Sequence, residues 1–208
     1  MSLRKGEAWG REVVRPVDLV FARDDADLAT RLERGRGDRG APAMAVRTGD
    51  LARTLGSAPV DGRQTLHELP VDLLAVRLGA GERTLPACAH VVIRSPWWRG
   101  GWLRGRAVLV MNAEFIGEWD VAPRGHPNDG RVEVLEVGSE FGVRQRLAAR
   151  RRVRTATHVP HPLIATRSVR AASWSFESPM TVLVDGVRVG TERSVDVTVV
   201  ADAGVVYA

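Results

Sequence analysis

Residues 107–137 read AVLVMNAEFIGEWDVAPRGHPNDGRVEVLEV. Ala107, Val108, Leu109, Val110 and Met111 form an unbroken apolar run, and Gly117 marks a turn. A loop rich in Pro, Gly, His, Asn and Asp follows, and then Val132, Val134 and Val137 alternate around Glu133 and Glu136. That pattern predicts strand, turn, strand. Within the loop, Asn128-Asp129-Gly130 puts a carboxylate on a tight turn, beside backbone carbonyls that could face a hard cation.

Working outward, both flanks carry strand and helix signals. Val17, Leu19, Val20 and Phe21 predict a short buried strand. Asp24 or Asp25 then caps a helix that carries Leu28 and Leu32 four apart. Residues 41–56 read as strand, turn, and a helix capped by Thr48 or Asp50 that ends at Gly56. Val71, Leu73, Leu74, Val76 and Leu78 predict another strand, as do residues 87–93. Towards the C-terminus, 169–176, 180–184, 187–189, 195–200 and 204–207 read as short strands, with Asp185-Gly186 as a hairpin turn.

A chain of 208 residues, 44% hydrophobic, can bury a genuine core. Its formal charge is +5, and Lys5 is its only lysine. The arginine bias is discounted as a nucleic-acid signal, because the basic residues are not interleaved with stacking aromatics and no binding motif accompanies them. The single cysteine, Cys88, excludes an internal disulfide and reads as core filler rather than nucleophile. No apolar leader and no segment of membrane-spanning length is present in the sequence, so the expected location is cytoplasmic.

Two arginine-rich stretches carry competing readings. In SPWWRGGWLRG, Trp97, Trp98 and Trp102 stand among arginines and glycines. The tip packs its indoles on the β-domain, or it sits at a lipid headgroup interface as a peripheral membrane contact. In residues 139–154, Phe141, Val143, Leu147 and Ala148 suggest a helix with a thin apolar face, and Arg144, Arg146 and Arg150, Arg151 and Arg152 a positive end. That end is a solvated face or a site for an anionic headgroup or phosphate. His158 and His161 stand three apart, but Pro160 and Pro162 make the segment extended, so the imidazoles need not converge on a metal.

The order apolar strand, Asn112, Gly117, Ala122-Pro123, Asn128-Asp129-Gly130, apolar strand resembles the C-terminal β-domain of the bacterial diacylglycerol kinase and sphingosine kinase-like family of lipid kinases. A second passage, Thr48, Gly49, Asp50, Leu51, Ala52, Arg53, Leu55 and Gly56, resembles the family's Gly-Thr-Gly-Asn-Asp-Leu-Ala-Arg and Leu-Gly, with the Asn deleted and Arg47 in place of the first Gly. The resemblance implies an α+β fold. Residues 1–66 would form a small α/β remnant of a nucleotide-binding lobe, and residues 67–208 a mainly antiparallel β-sandwich.

The same resemblance locates the family's chemistry on this chain. Asp24, Thr48, Gly49 and Asp50 fall where the nucleotide is held, and Asp129 falls where the family holds Mg²⁺. The family's Gly-Gly-Asp-Gly-Thr becomes Ala22-Arg23-Asp24-Asp25-Ala26, without the glycines that admit phosphates. Val187 occupies the place of the family's general base, and an isopropyl group accepts no proton; Glu192, five residues on, reaches it only if the hairpin is remodelled. ATP binding is therefore not expected, and a catalytically silent homologue that binds a lipid, an anionic ligand or a protein partner is. The alternatives are a lipid kinase completed by nucleotide-binding elements from another subunit, and a structural oligomeric module. A trimmed parallel sheet also implies an exposed edge and hence self-association or a partner subunit.

Overall fold

The computed structural model describes residues 9–38, 41–56, 60, 62–81 and 83–208. The N-terminal third contributes β1 (Arg11–Val14), β2 (Val20–Ala22), α1 (Asp25–Gly35), β3 (Met44–Val46) and α2 (Asp50–Thr54). Then come β4 (Thr65–Leu78), β5 (Thr84–Ala87), β6 (His90–Arg94), a 3-10 turn at Trp97–Arg99 and α3 (Gly101–Arg104). The central stretch gives β7 (Ala107–Met111), the small hairpin β8 (Phe115–Ile116) and β9 (Trp119–Asp120), and β10 (Val132–Val137). The chain ends with α4 (Val143–Arg152), a 3-10 turn at Val153–Thr155, β11 (Ile164–Val169), β12 (Ala171–Val184) and β13 (Val187–Tyr207).

Eleven strands join in one sheet, ordered β1-β4-β13-β12-β6-β7-β10-β11, with β5 on β4 and the parallel pair β2-β3 attached to β13. All pairings are antiparallel except β2 with β3 and β3 with β13. The class is therefore α+β with a mainly antiparallel sheet, as expected. β13 is the shared strand: residues 187–198 pair with β12, while Val206 and Tyr207 pair with β3. The boundary expected at residue 66 falls inside β4.

Three apolar clusters cover the sheet. The first buries Leu28, Ala29 and Leu32 of α1 and Leu51 of α2 against Val71, Leu73 and Val206. The second takes Val91 and Ile93, Val108 and Val110, Val132 and Val134, Val182 and Val195, with no helical residue among those described. Strand residues alone bury it, so the sheet folds over onto itself as a sandwich. The third lies on the opposite face, where Leu109, Leu135 and Met111 meet Phe141, Val153 and Ala149.

Several local expectations are corrected. Val17 is fully exposed and lies outside β2. The helix after Thr48 is capped by Gly49, and the Thr48 hydroxyl instead donates to the Arg23 carbonyl at 2.9 Å. Val137 belongs with Leu135 on the third cluster, because strand parity places it opposite Val132 and Val134. The five C-terminal short strands are two long ones, whose register shifts near Ser175, Val182 and Val200 look like breaks in the sequence. Part of the linker after α2 lies outside the described residues.

Candidate functional site

Asp25, Leu28, Ala29 and Leu32 occupy one face of α1, so Asp25 is carried inward with its apolar neighbours. Its carboxylate meets the start of α2. Oδ2 accepts from the Asp50 N–H at 2.6 Å and Oδ1 from the Leu51 N–H at 3.4 Å. Gly49 makes this approach geometrically feasible: its φ is +123°, and a Cβ there would stand 2.3 Å from Asp25 Oδ1. Burial, then the negative charge of Asp185, push Asp25 up to about 7, against the pull of those N–H donors.

Asp50 and Asp185 complete the cluster. Asp50 Oδ1 accepts from the Gly117 N–H at 2.6 Å, and Oδ2 lies 3.3 Å from His90 Nδ1. Asp185, in the β12–β13 turn at φ +46°, accepts from the N–H groups of Cys88, Ala89 and His90, each at 2.9 Å. Burial raises its pKa, opposed by His90 and by those three donors. Cys88 is fully buried; its thiol donates to the Asp25 carbonyl and burial pushes its pKa up, which suits a core residue and not a nucleophile.

Gly49 and Asp50 thus stand at the Asp25 carboxylate, Thr48 lies beside them on the Arg23 carbonyl, and Asp24 does not face the cluster. It caps α1 through Oδ1 and the Asp27 N–H at 2.8 Å. Asp25 takes the inward position, and the one-face spacing with Leu28 and Leu32 is the sequence signal that identifies it. Val187 is 52% exposed at the start of β13. Glu192 sits opposite Met180 in the β12–β13 ladder.

Asp129 lies in a separate loop. Its Oδ1 accepts from the Arg131 N–H at 2.8 Å, and burial raises its pKa. Beneath it, the fully buried Asp72 takes the Gly130 N–H at 2.7 Å and the Asp202 N–H at 2.8 Å, and so ties the turn to the β13 bulge. Among the described residues no three His, Cys, Asp or Glu side chains converge for a metal. Mg²⁺ at Asp129 would rest on one carboxylate, backbone carbonyls and water. Arg53 does not line this loop; it donates to the Gly117 carbonyl at 3.0 Å and stacks on Phe115.

A different feature offers space. Between the outer face of β7 and β10 and helix α4 lies a cavity of about 370 Å³, floored by Leu109, Leu135 and Phe141. Its lining also includes Trp119 and His158. Trp119 Nε1 and His158 Nδ1 are buried polar atoms without a hydrogen-bond partner. Burial holds His158 below its ordinary pKa, and its Nε2 lies 3.1 Å from the Val121 carbonyl. The neutral ring therefore donates through Nε2 and leaves Nδ1 as an open acceptor, while Trp119 is an open donor. His161 turns elsewhere: its Nδ1 accepts from the Leu163 N–H and its ring packs on Phe141.

No protein-family model matches the chain, and no curated protein matches it in sequence. Solved structures do match in fold, among them chains described as diacylglycerol kinases. One is titled a "putative diacylglycerol kinase" from Bacillus anthracis str. Sterne, with a TM-score of 0.63 at 14% identity over 91% of this chain and 77% of that chain. Another, described as a diacylglycerol kinase from the same organism, gives 0.59 at 14% identity over 91% and 75%. The fold is shared with these structures.

Proposed function

We propose that this protein is a lipid-binding homologue of the lipid kinases that has lost phosphoryl transfer. The observation that carries the reading is the cavity beside α4. It is apolar and within the size range of small-molecule sites, and two of its lining residues, Trp119 and His158, each carry a buried polar atom without a partner. An apolar space of this size suits a hydrocarbon body, and an unmatched buried polar atom is costly, so a small side-chain shift that turned either atom to a ligand hydroxyl or carboxyl would relieve that cost.

Loss of catalysis is supported at the other site. The first N–H groups of α2, which in the family's manner would face phosphate, are taken by the protein's own Asp25 carboxylate. Asp50 and Asp185 add negative charge beside it. Val187 supplies no base.

A fluorescent fatty acid titrated into the purified protein tests the reading. Saturable binding is expected, displaced by diacylglycerol and abolished in Ala149→Trp, which fills the cavity from α4. Radiolabel transfer from ATP to diacylglycerol is expected to be absent. Turnover, or lack of saturable binding, overturns the proposal.

A further inference from the structure

The tryptophans of the 3-10 turn, Trp97 and Trp98, stand largely in water. Trp97 is 79% exposed and Trp98 60%, and Trp102 and Leu103 are exposed beside them. Indoles left in water on a short tip are an apolar surface awaiting a partner.

Arg146 joins this tip to α4. Its buried guanidinium donates to the carbonyls of Trp102 (3.0 Å), Gly105 (2.6 Å), Gly138 (2.7 Å) and Phe141 (2.7 Å). The reading of Arg146 as part of a positive face is thereby corrected: it is a pin. The arginines around it face water. Arg99 and Arg104 on the tip, and Arg144, Arg151 and Arg152 on α4, are exposed and make no ion pair among the described residues. Residues 94–106 and 141–158 contain no acidic residue. Trp102, Leu103, Leu147 and Arg150 are exposed and line the cavity, so the apolar tip and the cationic helix meet at its mouth.

We infer that this surface docks on an anionic phospholipid bilayer, with the indoles at the headgroup boundary and the arginines on lipid phosphates. Tryptophan and arginine favour that zone, the stem of each lying in apolar surroundings and its polar end in water. Charge complementarity selects anionic lipid, since each arginine near the surface adds to the attraction. The surface stands on its own exposure and charge. That it hands lipid to the cavity rests on the lipid-binding reading above.

Flotation of the full chain with phosphatidylcholine vesicles, with and without phosphatidylglycerol, tests the inference. The protein is expected to float with the anionic vesicles only and to be released by added salt. Trp97→Ala with Trp98→Ala is expected to cut the floated fraction about tenfold or more, with circular dichroism and thermal midpoint unchanged because both side chains are exposed. Replacement of Arg150, Arg151 and Arg152 by Gln is expected to abolish the preference for phosphatidylglycerol. Equal flotation of the tryptophan variant and the parent, flotation with neutral vesicles alone, or binding to duplex DNA without binding to vesicles overturns it. The fatty-acid titration of the parent, set beside flotation, separates the two proposals: flotation without fatty-acid binding removes the cavity reading and leaves the docking surface, and the reverse result removes only the docking surface.

Discussion

The carboxylate of Asp25 accepts a 2.6 Å hydrogen bond from the backbone N–H of Asp50, across 25 residues of sequence and at the start of a different helix. The carboxyl is held at about 7 because burial and Asp185 outweigh that bond. Its folded pKa lies above its unfolded value. Its contribution to stability is therefore fully present below the ordinary carboxylate range and is lost as pH rises towards about 7. Urea unfolding across that window is expected to show the parent losing stability relative to Asp25→Asn, with a slope of up to about 1.4 kcal/mol per pH unit. A parent-to-variant difference that does not change with pH would remove the assignment.

Gly49 is the steric condition for that contact. Alanine at φ +123° is strained, and its methyl would strike Asp25 Oδ1. Gly49→Ala is expected to cost about 2 kcal/mol or more, read as a lower urea midpoint. A companion Gly56→Ala, where nothing stands within 4 Å of the added carbon, is expected to cost less because only the backbone is strained.

Legibility in the sequence followed how local each constraint is. Met111-Asn112, Gly117 and Asn128-Asp129-Gly130 mark their turns by residue type, and β7 and β10 form as expected. The α1 face from Asp25 to Leu32 was legible too, although the choice between Asp24 and Asp25 needed the helical period. What could not be read was long-range. The partners of Asp185 lie 95 to 97 residues away, and those of Asp72 58 and 130. Nor does composition show that Trp97 and Trp98 face water, because an indole in a Gly-rich tip is consistent with either face. The cavity depends on the gap between α4 and the sheet, which no local pattern encodes.

Arg146 carries four backbone carbonyls from two segments, 102–105 and 138–141, on one guanidinium. Arg146→Met leaves these acceptors without the donor and is expected to cost about 2–4 kcal/mol. Arg146→Lys is expected to recover little, since one ammonium with three donors does not reproduce the planar fork. Hydrogen exchange should show the loss concentrated in residues 97–105 and α4. An even loss across the sheet would mean the pin is not local.

Asp72 and Asp129 are expected to differ in their structural weight, and Asp129 is where a Mg²⁺ effect would be read. Asp72→Asn offers one oxygen where two N–H donors need acceptors, and is expected to cost about 1–3 kcal/mol. Asp129→Ala is expected to cost less, because it gives up one half-exposed bond to Arg131. The thermal midpoint of the parent should be the same in Mg²⁺ and in chelator. A Mg²⁺-dependent rise that disappears in Asp129→Ala would establish a metal there.

Val187→Glu tests the proposal that Val187 stands where a general base would be needed. A positioned base contributes about 10²–10⁴-fold to proton transfer, so a scaffold otherwise intact would regain measurable phosphorylation of diacylglycerol. On the proposed reading a triphosphate is also excluded: Asp25 occupies the α2 N–H groups, and the residues from Ala22 to Ala26 contain no glycine. Val187 is exposed on the hairpin, so glutamate there should fold normally. The expected result is no radiolabel transfer in Val187→Glu, at unchanged thermal midpoint, and none in the double variant with Asp25→Gly, whose midpoint falls because the Asp50 and Leu51 N–H groups lose their acceptor. Transfer by the single variant would mean that phosphates still bind despite Asp25, and the self-capped start of α2 would then have to open when nucleotide arrives.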